Sequence, residues 1–393
     1  MRKFTAPKIH PVSSAPLENA VLITDDAGKI LAIEALELHD PASVQQLEGY
    51  LIPGFINTHC HLELSHMKGK VDTGTGLIPF ITGVVTHRNA SAELIAEAIQ
   101  RGEAEMLEGG IVALGDISNA PDTFAVKAKG GMRYYTFLEM FDFLQEANAE
   151  KTFNDGMAVY EQLELAPGSA RSLVPHAPYS VSKNLFQKIN AFNPKSGITV
   201  SIHNQETPPE QSLFLHKTGD FLDFYGKFGI SLEKFDATGK TAIHYALEHM
   251  NPANRSLFVH NTLTTPEDIA AAQAWSPNVF WATCPNANLY IENRLPYYQS
   301  FIDANARVTI GTDSLTSNWQ LSILEEMKTI ARFQSYVPFE TLLQWATLNG
   351  AQALGFDDTL GSLEVGKTPG LVLLQGLGAN GTLTQTATAK RVL

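Results

Sequence analysis

The chain has 393 residues, 44% of them hydrophobic and 18% charged, with a formal net charge of −13 and a pI near 5.4. That length suits one large domain, or a large domain with a small companion. The acidic balance excludes a nucleic-acid footprint, which needs clustered Lys and Arg. No apolar run reaches the length of a membrane helix, and Met1-Arg2-Lys3-Phe4 has charge with no apolar stretch behind it, so a cytoplasmic protein with neither nucleic-acid nor membrane partners is expected.

The first fifty residues hold short β-like pieces. Ala20-Val21-Leu22-Ile23-Thr24 turns at Asp26-Ala27-Gly28 into Ile30-Leu31-Ala32-Ile33, the pattern of a hairpin. Eight short runs rich in β-branched and aromatic residues follow, at 51–61, 111–118, 132–140, 172–176, 198–204, 256–261, 278–284 and 307–313. Helical periods separate them, as at 92–107 and 266–275. Eight strand-then-helix units predict an α/β fold, a closed parallel (β/α)8 TIM-like barrel. No Gly-x-Gly-x-x-Gly or Walker-type loop follows any run, which removes the usual dinucleotide and nucleoside-triphosphate readings.

After the fifth run, 207–255 is too long for one barrel helix. It holds Leu213, Phe214, Phe221, Leu222, Phe224, Tyr225 and Phe228, then a second helical stretch at 241–250. It reads either as a wall over the barrel mouth or as a helix pair packed on the flank. The chain ends as it began: Gly361-Ser362-Leu363-Glu364-Val365-Gly366-Lys367 leads to Leu371-Val372-Leu373-Leu374. Residues 1–50 and 355–393 are therefore expected to form one small β domain, with a barrel of 51–354 inserted between them.

The only two cysteines, Cys60 and Cys284, rule out a disulfide framework and a thiolate zinc site. The chemistry lies with histidine. In His59-Cys60-His61 the period of a strand points both imidazoles one way. Alone, the pair is weak evidence. Of twelve histidines, however, His59, His61, His176, His203 and His260 all fall at predicted strand ends, with Asp313 at the end of the eighth. Strand C-termini are where a barrel assembles its active site. Three imidazoles and a carboxylate, from His59, His61, His203 and Asp313, suit one divalent metal, zinc or ferrous iron, with a place left for water. Glu206, three residues after His203, is placed to relay a proton. His260 and Asp313 are candidates to orient the water. Pro175-His176-Ala177-Pro178 stands where a two-metal site would need a lysine, which favours one metal and leaves His176 to the substrate.

Residues 53–61, 203–206, Val259-His260-Asn261 and Gly311-Thr312-Asp313-Ser314 resemble the amidohydrolase superfamily, in its deaminase and chlorohydrolase-like branch. Within that branch His59-Cys60-His61-Leu62-Glu63-Leu64-Ser65-His66, His176-Ala177-Pro178-Tyr179-Ser180-Val181-Ser182 and the aromatic insertion are similar to aminodeoxyfutalosine deaminases. The resemblance implies hydrolytic deamination of a 6-aminopurine nucleoside on a menaquinone pathway. It assigns proton transfers to Glu206, His260 and Asp313, and substrate contacts to Glu63 and His176; Ser314 and Asn288 are further candidate substrate contacts. Asn286 stands where that subgroup has Arg, which implies either a different substrate tail or that Arg294 takes over an anionic substrate group, and Thr368-Pro369-Gly370 replaces an acidic turn before the last β run. Rival readings are a cyclic amide hydrolase or a triazine chlorohydrolase using the same water, and a catalytically silent scaffold. The partner expected is a small molecule, and a homodimer is left open.

Overall fold

The computed structural model describes residues 1–393, the side chain of residue 380 apart. Eight core strands run in chain order: β1 (Phe55–Cys60), β2 (Ile111–Ser118), β3 (Arg133–Met140), β4 (Ala170–Pro175), β5 (Thr199–Asn204), β6 (Arg255–His260), β7 (Val279–Thr283) and β8 (Val308–Ile310). All pair in parallel. They are covered on both faces, which is why their sequences read as continuous apolar runs rather than alternating ones.

The strands do not make one continuous sheet. They form two, β1-β2-β3-β4 and β5-β6-β7-β8, which corrects the expectation of an unbroken closed barrel. One backbone hydrogen bond crosses one seam and two cross the other. His203 N donates to His176 O at 2.9 Å between β4 and β5, and Thr312 N and Asp313 N both donate to His59 O at 3.0 Å between β8 and β1. The causes are local. β4 ends in Pro175, which has no N–H to give. β8 is three residues long and ends before Gly311, whose Cα passes so close to β1 that an added Cβ would lie 2.8 Å from His59 Cβ.

The expected first strand, 51–61, is two strands. Tyr50–Pro53 belongs to a terminal sheet and β1 to the core, with the switch at Gly54, where an added Cβ would meet Val112 at 2.4 Å and the Pro369 carbonyl at 2.8 Å. That terminal sheet is ordered Thr388–Arg391, Leu371–Gln375, Tyr50–Pro53, Lys8–Ile9, so both chain ends share it. A second terminal sheet contains the expected hairpin, Ala20–Thr24 against Ile30–Ala35. Phe4, Ile9, Leu22, Ile30, Leu51, Leu363 and Leu371 pack as one apolar cluster drawn from both ends of the chain.

Helices cover the core strands. Helix α1 (Leu77–His87) follows β1, and α2 (Ala92–Glu108) starts at Ser91, whose hydroxyl caps Leu94 N–H. The insertion forms α3 (Pro208–His216), α4 (Asp220–Lys227) and α5 (Ala242–His249), and α6 (Pro285–Glu292) follows β7. No helix among the described residues is long and apolar enough to cross a membrane.

Candidate active site

The strand ends bring the expected ligands together. His61 Nε2 lies 3.3 Å from His203 Nε2, and Asp313 Oδ1 lies 3.7 Å from His59 Nε2 and 3.6 Å from His61 Nε2. Burial holds the pKa of His59 and His203 well below the usual histidine range, with the neighbouring imidazoles adding to the effect. Burial also lowers His61, against the pull of Asp313. The rings are therefore neutral, the form that binds metal. His203 Nδ1 donates to His176 O at 2.8 Å, which turns its Nε2 lone pair towards His61. Both ring nitrogens of His59 are buried without a hydrogen-bond partner. A buried nitrogen left so is costly, and a cation shared by these side chains removes that cost. His59, His61 and His203 bring ligand atoms within 4.8 Å of one another, as do His59, His260 and Asp313, and Glu139, His176 and His203; three imidazoles with the Asp313 carboxylate beside them suit one divalent metal.

Asp313 lies three residues beyond β8 with φ +55°, a left-handed conformation that Asp tolerates better than most residues. Ser317 Oγ donates to its Oδ2 at 2.5 Å and leaves Oδ1 facing the histidines. His260 is also left-handed, φ +69°, which turns its ring from the end of β6 towards the site. Its Nδ1 donates to Asn288 Oδ1 at 2.9 Å, and Asn288 Nδ2 donates back to His260 O at 3.2 Å. His260 Nε2 is thereby presented 3.6 Å from Glu206 Oε1. Burial, reinforced by the negative charges of Asp313 and Glu292, pushes Glu206 well above the usual carboxyl range and so favours its protonated form.

These residues open on a cavity of about 460 Å³. His176 and Ser314 lie on its wall, with His176 Nδ1 paired to Ser180 Oγ at 2.6 Å. Three expected contacts fall elsewhere. Asn288 is off the wall because both ends of its amide are committed to His260. Arg294 follows the left-handed turn at Asn293 that ends α6, and is exposed away from the cavity. Glu63 sits in an adjoining cleft, its Oε2 accepting from Asn119 N at 3.0 Å and Ala120 N at 3.3 Å. Asn286 lies outside the cavity as well, held by Glu326 through its backbone N–H and side-chain amide.

The insertion is a wall of the cavity: Phe224, Tyr225 and Phe228 line it, and Tyr225 OH donates to Tyr179 O at 2.6 Å. Sequence reasoning missed the opposite wall, α1. Leu77, Phe80, Ile81, Val84, Val85 and Arg88 all line the cavity, and their spacing of three and four was a visible stripe. It also missed Glu139, a lone acid in the apolar run of β3, which burial pushes up to about 8.

Residues 50–391 match the amidohydrolase family. The chain belongs to that family. This amidohydrolase, a hydrolytic enzyme, is 28% identical over 320 residues to an adenosine deaminase of Helicobacter pylori, covering 81% of this chain and 76% of the relative. Its fold matches the crystal structure of H. pylori aminofutalosine deaminase in complex with methylthio-coformycin, with TM-score 0.83, 24% identity and full coverage of both chains. It also matches atrazine chlorohydrolase from Arthrobacter aurescens complexed with zinc, with TM-score 0.76, 18% identity and coverage of 98% and 89%.

Proposed function

We propose that this amidohydrolase deaminates a 6-aminopurine nucleoside with a bulky apolar arm, of the aminodeoxyfutalosine kind, releasing ammonia. The observation that carries the reading is the division of the cavity. One end gathers His61, His203, His260, Asp313 and Glu206, and most of the remaining wall is apolar. Such a cavity suits a polar reacting ring on an apolar body. The relatives support the reading, being named for adenosine and aminofutalosine.

The overall change replaces the C6 amino group by a carbonyl oxygen from water, with ammonia as the leaving molecule. A divalent metal held by His59, His61, His203 and Asp313, zinc before iron, would lower the pKa of a water and polarise it for attack. Glu206 gives its proton to the ring nitrogen beside C6, which makes that carbon electrophilic. Asp313 Oδ1 and His260 Nε2 face the same point and take the proton leaving the water; one water proton passes to the departing amino group, which leaves as ammonia, and the other restores Glu206. Asn288 fixes the tautomer of His260, and Ser317 fixes the orientation of Asp313. Ser314 and His176 contact the base, and the 5′ arm lies between α1 and α4.

We further read the two four-stranded sheets as the halves of a split (β/α)8 barrel, 51–354, carried by a small β domain of 1–50 and 355–393. The test of function is a screen for ammonia release from 6-aminopurine nucleosides, including carboxyphenyl-substituted ones, run beside ring opening of cyclic amides and chloride release from triazines. Ammonia from the nucleosides is expected; activity only on the amides or triazines would overturn the reading. The triazine alternative has one observation in its favour, the shared fold of the zinc-bound atrazine chlorohydrolase.

A further inference from the structure

Lys127 and Asp116 form an ion pair in the core that the proton transfers do not use. Lys127 Nζ lies 2.6 Å from Asp116 Oδ2, and the two side chains are 3% and 0% exposed. Lys127 ends the short helix Phe124–Lys127, Asp116 lies in β2, and neither lines the cavity. Ser118 closes the group: its Oγ accepts from Lys127 at 2.8 Å and donates to Asp116 Oδ2 at 3.4 Å. Such a pair adds little stability, because the cost of taking both charges out of water offsets their attraction, and an apolar pair of similar volume often does as well.

The other carboxylate oxygen connects the pair to the strand ends. Asp116 Oδ1 accepts the N–H of Leu62 at 2.9 Å, the first amide after His61. That amide begins the turn Leu62–Met67, and the first N–H groups of such a turn have no acceptor within it. The contact falls where the sheet gives out. The β1–β2 register shifts between Asn57 and Cys60, and their pairing ends with Cys60 opposite Asp116. His203 is oriented through its ring by the His176 carbonyl, and Asp313 through its carboxylate by Ser317. Among the described residues the His61 ring has no such partner; its one close polar contact, Nε2 to His203 Nε2, lies inside the ligand set. The direction of the His61 ring is therefore set by its backbone, which Asp116 pins at the next residue.

We propose that the Lys127–Asp116 pair positions His61 for the metal. Asp116 fixes the chain at Leu62, and Lys127 with Ser118 holds the Asp116 carboxylate at the angle that reaches that amide. Both are positioning residues, and the inference rests on the reading of His59, His61, His203 and Asp313 as metal ligands.

The experiment measures zinc affinity of the full chain by competition with a chromophoric chelator, in wild type and in two double variants that strand no buried charge. Asp116→Asn with Lys127→Met keeps an acceptor for the Leu62 N–H, and Asp116→Leu with Lys127→Met removes it. The asparagine variant is expected to bind zinc within about threefold of wild type, and the leucine variant about tenfold to a hundredfold more weakly, the usual cost of losing a group that orients a metal ligand. If leucine is not accommodated, Asp116→Ala with Lys127→Met makes the same comparison with a smaller side chain. A merely structural role would lower the melting temperature of the leucine variant and leave its zinc affinity at the wild-type value; that result, or an equal loss of affinity in both variants, overturns the proposal. His61→Ala tests the premise separately, since an unchanged zinc affinity in that variant would overturn the assignment of His61 as a ligand whatever Asp116 does.

Discussion

Glu206 and His260 show how backbone geometry and burial set reactivity at single residues. Gln205, just before Glu206, is left-handed at φ +48°, and the Glu206 N–H is held by Glu210 Oε2 at 2.8 Å, so the carboxyl turns into the cavity instead of following the strand. There it is deprived of water and faces other negative charges, which raises its pKa and favours the protonated form. A group required as an acid works below its pKa and fails as pH rises through it. Turnover should therefore be sustained at neutral pH and fall on the alkaline side. Glu206→Gln keeps the shape and loses the transferable proton, so turnover should drop by at least about a hundredfold with metal content unchanged. Steady-state rates across pH, with metal analysis of both proteins, check this; near-wild-type turnover in the variant would contradict the assignment. That the candidate ligand histidines and Glu206 converge was legible in the sequence, because each sits at or just past the end of an apolar run and spacing then fixes direction. Asn288 and Arg294, expected at the substrate, lie off the cavity wall because of a contact and a turn. Asn288 reaches across to His260, and Asn293 reverses the chain before Arg294. Neither leaves a mark in local pattern.

At the scale of elements, the cavity is made by two segments that the ideal strand-helix alternation does not supply. Helix α1 brings Phe80 and Val84 from one side, and α4 with the turn after it brings Phe224, Phe228 and Ile230 from the other. The insertion stood out by its length and aromatic content, yet its sequence fits a flank as well as a wall. What decides is which partner it meets: Phe221 packs on Tyr179 with ring centroids 4.5 Å apart, drawing α4 over the strand ends. Phe228 is half exposed despite lining the cavity, so it is available to a ligand at little cost to the core. Phe228→Ala should raise KM for nucleosides with an aromatic 5′ arm by about threefold to thirtyfold and leave kcat within about twofold, because it removes binding common to ground and transition states. Adenosine, which has no arm, should be nearly unaffected. An equal loss on both substrates would place the arm elsewhere. The β1–Gly54–terminal-strand switch was hidden for a different reason. A run of apolar residues does not say that its two halves belong to different sheets, and only the close approach of Val112 and Pro369 makes glycine necessary there.

For the whole molecule, the candidate metal residues and the seams between the two sheets coincide. His59 is the last residue but one of the first sheet's β1, and its carbonyl accepts from Thr312 and Asp313 beyond β8 of the second. His203 is the last but one of β5, and its backbone and ring N–H both donate to the carbonyl of His176 beyond β4. Every hydrogen bond named across a seam thus involves a proposed ligand or the residue beside one. A metal bound by His59, His61, His203 and Asp313 would tie one sheet to the other exactly where the strand ladder is missing, so its binding energy would enter the stability of the fold as well as the chemistry. Removing it leaves His59 buried without partners and three imidazoles crowded around a carboxylate. The melting temperature should therefore fall by several degrees on dialysis against a chelator and recover with one equivalent of zinc, since ligand at about a hundredfold over its dissociation constant adds about 2.7 kcal/mol. Hydrogen exchange gives the spatial form of the same prediction. Amides of His203, Thr312 and Asp313 should lose protection in the metal-free protein, while the middles of β2, β3 and β6, each paired on both sides within its own sheet, should keep theirs. Uniform loss of protection across both sheets would mean that the metal stabilises the molecule without acting at the seams.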